Sequence, residues 1–144
     1  MKKVLLLFIL AVTSVFAEIT TELSSYKIVR NSEGKIEKVS AEQASPGDIV
    51  SYEFYIKNGS EEIIYNLNPI IPIPEGTTLI PDTITPKKGY KVSSNGRDFV
   101  EYPIKIDNVE ISTGEYRGVS WEISQLDKEM EVTLELQVRI NTPN

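Results

Sequence analysis

Apolar and polar residues alternate most cleanly between Asp48 and Asn58. Val50, Tyr52, Phe54 and Ile56 are interleaved with Ser51, Glu53, Tyr55 and Lys57. A period of two sends the first set to one face of an extended chain, as a half-buried β-strand requires. Pro46-Gly47-Asp48 in front and Asn58-Gly59-Ser60 behind supply the turns. The closing segment repeats the pattern. Val132, Leu134, Leu136, Val138 and Ile140 face one way, and Glu131, Thr133, Glu135, Gln137 and Arg139 the other. Shortly before it, Val119, Trp121 and Ile123 alternate with Ser120, Glu122 and Ser124.

Weaker signals fill the gaps. Tyr26–Arg30 and Lys35–Ser40 flank Asn31-Ser32-Glu33-Gly34, which reads as a hairpin connection with Gly34 in the left-handed position. Tyr90–Ser93 and Phe99–Tyr102, joined through Asn95-Gly96, read as a second hairpin. Ile104, Ile106, Val109 and Ile111 suggest a further irregular strand. Between Asn68 and Pro86 stand Pro69, Pro72, Pro74, Pro81 and Pro86. Proline cannot donate to a ladder, so this stretch is expected to form an edge strand and loops. No segment keeps a helical period over three turns. Short strands between regular turns predict an all-β sandwich or barrel.

The first residues bear on compartment. Lys2 and Lys3 precede an uncharged apolar run, Val4–Val12, and Val15-Phe16-Ala17 offers a cleavage site before Glu18. That three-part pattern is expected of a secretory signal peptide at residues 1–17. The apolar run falls short of the roughly 20 residues of a spanning helix, so no membrane span is expected after cleavage. Loss of Lys2 and Lys3 moves the formal charge from −6 to −8. Residues 18–144 are expected to form one domain.

Composition narrows the chemistry. The chain has no Cys and no His, so disulfides, thiolate ligands and the usual neutral-pH general base are missing. A net charge of −6 argues against nucleic acid, which calls for a basic footprint, and against docking on anionic lipid.

Four blocks together resemble a known module. Ser45-Pro46-Gly47-Asp48-Ile49-Val50-Ser51-Tyr52 through Asn58 is similar to the opening of the DUF11 domain, an immunoglobulin-like repeat of bacterial and archaeal surface proteins. Ile73-Pro74-Glu75-Gly76-Thr77, Val119–Ile123 and Val132–Ile140 resemble its later blocks in the same order. Two positions depart from the family: Ile71 stands where an Asp is usual, and Asp127-Lys128-Glu129 where a Gly commonly precedes the last strand. The resemblance implies an immunoglobulin-like fold and a surface setting, and no activity.

Candidate sites are weighed against ordinary roles. Glu53, Glu122, Glu131 and Glu135 fall at outward positions with no spacing that singles out an acid/base pair. Asp48, Asp82, Asp98, Asp107 and Asp127 lie at turns, where Asp is common without calcium. Tyr52 and Trp121 fall on apolar faces and are expected in the core, whereas Tyr55 points outward and Tyr65, Tyr90, Tyr102 and Tyr116 lie in or near loops. Asn58-Gly59-Ser60 fits a glycosylation sequon in form only.

The reading is an immunoglobulin-like β-sandwich of about seven to nine strands, running from Ile19 to Ile140, exported to the periplasm or cell surface. It has no catalytic, cofactor or metal residues. Its expected role is a structural or interaction module whose partner is an envelope protein or a surface glycan. The alternative is a glycan- or small-ligand-binding module using loop tyrosines; a carboxylate hydrolase is the remaining class. Ile19–Arg30 is a conceivable donated strand, but Lys35–Ser40 offers it a local partner, so a monomer is expected.

Overall fold

The computed structural model describes residues 18–143; the expected signal peptide lies outside them. Twelve strands follow in order: β1 (Ile19–Arg30), β2 (Ile36–Ser40), β3 (Ile49–Asn58), β4 (Ile64–Leu67), β5 (Ile70–Pro72), β6 (Thr77–Thr85), β7 (Tyr90–Ser93), β8 (Lys105–Ile106), β9 (Val109–Glu110), β10 (Gly118–Trp121), β11 (Ile123–Leu126) and β12 (Glu131–Ile140). Every pairing is antiparallel, and no sheet closes into a barrel. The expected all-β sandwich is what forms.

One layer is the five-stranded sheet β2-β1-β3-β12-β6. The other is built from β5-β10-β7 and β11-β4. Ser120 lies opposite Ile70 and Ile123 opposite Leu67, so the β10–β5 and β11–β4 ladders keep one register. They form a single long pairing, interrupted where Pro69 has no N–H to give and Asn66 turns left-handed (φ 56°). At the break Trp121 N–H donates to Pro69 O (3.1 Å), and Glu122 N–H leaves the ladder for Gly89 O (3.1 Å). Joining these pieces and setting aside the two-residue β8 and β9 leaves eight strands, within the expected range.

The alternating faces sort as the pattern requires. Val50, Ile56, Leu134, Leu136, Val138, Leu79 and Ile84 point inward from the larger sheet and meet Ile71, Ile73, Val92, Val119, Trp121 and Leu126 from the other. Proline falls at edges: β6, with Pro81, ends one sheet, and β5, with Pro72, ends the other. Gly34 closes the first hairpin at φ 80°, a conformation glycine adopts without penalty.

Some expectations need correction. Phe99–Tyr102 makes no strand; the second hairpin reduces to a single bridge between Val92 and Val100. Ile104–Ile111 is not one irregular strand but the β8–β9 hairpin, turned by Asp107 (φ 53°) and Asn108 (φ 66°). Consecutive positive φ values form the tight turn that Asn and Asp tolerate. The first strand begins at Ile19 instead of Tyr26.

Candidate functional site

The acidic residues spread over the outer face of the large sheet. Glu53 sits directly opposite Glu135, a like-charge pair. Lys38 bonds Glu53 from β2, and this hydrogen bond, with the nearby Glu135 charge, raises the Lys38 pKa above its ordinary value. Tyr55 points outward as expected, and its hydroxyl donates to Glu131 Oε2 (2.7 Å). That bond holds the Tyr55 proton on and pushes its pKa up. Glu122 is exposed on the other sheet, bridged to Lys91 at 3.3 Å.

The aspartates expected at turns do not converge, and Asp82 lies within β6 instead of at a turn. Among the described residues no group of Asp, Glu, His or Cys is placed to hold a metal ion. Asp48 closes the turn into β3: Ser45 N–H donates to its carboxylate (2.9 Å) and Lys27 Nζ lies 3.0 Å away. Both lower its pKa, the Ser45 bond more. The sequon is also spoken for. Asn58 is fully buried, with Nδ2 donating to Glu62 O (2.8 Å) and Leu126 O (2.9 Å). Its Oδ1 accepts from Ser60 N–H and Oγ–H.

The tyrosines separate. Tyr52 is half-buried, and burial raises its pKa. Tyr116 lies beside a loop as expected, just after the helical turn Thr113–Glu115, yet is fully buried in the core, where its hydroxyl accepts from Ile104 N–H (2.9 Å). Tyr65 stands alone and exposed. Tyr90 and Tyr102 come together. Tyr90 lies two residues before Val92 and Tyr102 two after Val100, so the Val92–Val100 bridge brings them to the same end of the hairpin. With Gly89, Lys91, Glu101 and Glu122 they line a shallow cleft of about 440 Å³. Burial, then the proximity of Tyr102 and Asp82, raises the Tyr90 pKa.

A second surface was not signalled by alternation. β3 pairs with β1 from Ile19 to Ile28, but β2 covers only Tyr26–Arg30 on the other side. The helical turn Ala41–Gln43 packs beside β1 without joining the ladder. Among the described residues, no strand pairs with the outer side of Ile19–Ser25. Ile19 and Leu23 share the inward face of β1 with the row that contains Phe54 and Ile56, yet each is 47% exposed. The smaller layer stops short of them. Among the other edge strands β2 carries Lys38, β6 Pro81, β5 Pro72 and β7 Lys91, residues that discourage strand addition; the four-residue β4 and β11 carry neither but are much shorter. Ile-Thr-Thr-Glu-Leu-Ser-Ser has neither proline nor lysine.

No helix among the described residues is long and apolar enough to cross a membrane. Searches against protein-family models, curated proteins and solved structures find no match for the chain.

Proposed function

We propose that this chain is an exported, non-enzymatic interaction module of a bacterial cell envelope, acting in the periplasm or at the cell surface. Its partner is an extended segment of another envelope protein, added as a strand to the open side of β1. The observation that carries this reading is the unpaired, lysine- and proline-free edge Ile19–Ser25. An unpaired strand edge offers a row of free N–H and C=O groups to a second chain.

Charge selects the occupant. Ile19, Thr21 and Leu23 lie on one face of the edge and Thr20, Glu22 and Ser24 on the other. A fitting strand alternates apolar residues with Lys or Arg, since opposite charges on facing residues stabilise a pair. A second copy brings its own acidic charge, −8 once Lys2 and Lys3 are removed from the −6 of the full chain, and fits less well, so the isolated protein is a monomer. The DUF11-like blocks and the export pattern of residues 1–17 support the envelope setting. The non-catalytic reading is supported by the engagement of Glu53 with Lys38 and of Tyr55 with Glu131.

Two measurements test this. Intact mass of protein from an envelope or culture fraction should begin at Glu18; a dominant species retaining Met1 overturns cleavage. A photocrosslinking side chain at Leu23 should give one discrete adduct, mapped to an alternating apolar and basic segment. Absence of the adduct, or equal yield from Val109 on the β8–β9 hairpin, overturns the strand-addition reading.

A further inference from the structure

The cleft at Tyr90 and Tyr102 is backed by anchored aromatic side chains. Tyr102 packs edge-on against Tyr116, ring centroids 6.4 Å apart at 71°, and the Tyr116 hydroxyl is fixed on Ile104 N–H. Tyr90 faces Trp121 across the β7–β10 ladder, and the Trp121 indole N–H donates to Pro86 O at 3.0 Å. A ligand therefore meets rings already held in place, which lowers the ordering cost of binding. Lys91, Glu101 and Glu122 complete the lining of the cleft, with Lys91 and Glu122 bridged to each other at 3.3 Å.

We propose that this cleft binds a neutral oligosaccharide. A pyranose presents an apolar C–H face suited to a tyrosine ring and a rim of hydroxyls that both donate and accept hydrogen bonds. Glu101 and Glu122 accept from hydroxyls; Lys91 donates. An acidic sugar meets two carboxylates and an acidic protein, so the neutral class fits. The volume of about 440 Å³ lies in the small-molecule range of about 300–1,000 Å³. The site shares no residue with the β1 edge, so its test is independent of strand addition.

The test is a titration of the ¹⁵N-labelled protein with chitotetraose, cellotetraose and mannotetraose, each to about 10 mM, a range that captures weak affinities. At least one sugar should give saturable amide shifts centred on Gly89, Tyr90, Lys91 and Tyr102. Tyr102→Ala should weaken binding at least about tenfold, as should Glu101→Ala, whose exposed side chain can be cut without touching the core. Tyr65→Ala should leave it unchanged. Shifts absent with all three sugars, or equal weakening by Tyr65→Ala, overturn the assignment.

Discussion

The side-chain amide of Asn58 donates to the carbonyl of Leu126, 68 residues along the chain, at 2.9 Å inside the protein. One residue thereby ties the end of β3 to the end of β11 and, through Glu62 O and Ser60, to the turn between β3 and β4. Unpaired buried polar groups cost about 1–3 kcal/mol each. Asn58→Ala should therefore destabilise by about 3 kcal/mol or more. Asn58→Asp, which turns a carboxylate oxygen toward two carbonyls, should cost at least as much. Chemical denaturation of both variants checks this, and equal stability to the parent would show that the amide is dispensable.

Trp121 and Tyr116 fill the core and also satisfy buried backbone groups. Trp121→Ala should cost about 3–5 kcal/mol, and its emission in the parent should be blue-shifted, moving red on unfolding. Tyr116→Phe keeps the ring but strips Ile104 N–H of its acceptor, for a cost of about 1–3 kcal/mol. Thermal melts of the two variants read the difference directly.

Glu129 holds a left-handed conformation, φ 61°, at the turn into β12. Its N–H donates to Asn58 O at 2.7 Å, so the turn cannot relax away from it without breaking that bond. Left-handed geometry costs an L-residue roughly 1–2 kcal/mol, partly offset by the entropy glycine loses on folding. Glu129→Gly should therefore stabilise by up to about 1 kcal/mol, and Glu129→Val should destabilise. The lost ion pair, 3.8 Å to Lys57 with the Glu129 side chain 65% exposed, is worth little. A lower melting temperature for Glu129→Gly would refute the assignment of strain.

Stability should be flat between about pH 6 and 8, because no histidine titrates there. At the acid end Asp48 has a folded pKa below its ordinary value. Its contribution is present above about pH 4, the unfolded pKa, and is lost as pH falls through the folded one. Asp48→Asn should flatten that limb. At the alkaline end Lys38, Tyr52, Tyr55, Tyr90 and Tyr116 have raised folded values. Their contributions are full below about pH 10 and disappear as pH rises through the folded values. Melting temperatures across the pH range test both limbs.

Alternation made β3, β10 and β12 legible, because each has one face on the core and one on water. It failed where that asymmetry fails. Ile19–Ser25 is exposed on nearly all of its positions, so no period of two marks it, and the open edge shows only in the pairing. Tyr116 reaches the core from a helical turn between strands, a position outside any strand period. Tyr90 and Tyr102 stood at the two ends of the expected second hairpin, and although Phe99–Tyr102 forms no strand, the Val92–Val100 bridge still sets them together. The hairpin at Asp107-Asn108 was hidden for another reason: Ile106 and Val109 are exposed, and their apolar character suggested one further irregular strand instead of a turn between two short ones.

β1 and β12 flank β3 on its two sides, both antiparallel to it and so parallel to each other. Ile19 starts opposite Asn58, while Arg139 ends opposite Ile49, at the far end of the same central strand. Tension between Ile19 and Ile140 therefore acts along the strands, across ladder bonds that lie perpendicular to them. The ladders on both sides of β3 are loaded together in shear instead of being peeled one bond at a time. A pull between Ile19 and Ile140 therefore meets the large sheet in the direction in which many ladder bonds must yield at once.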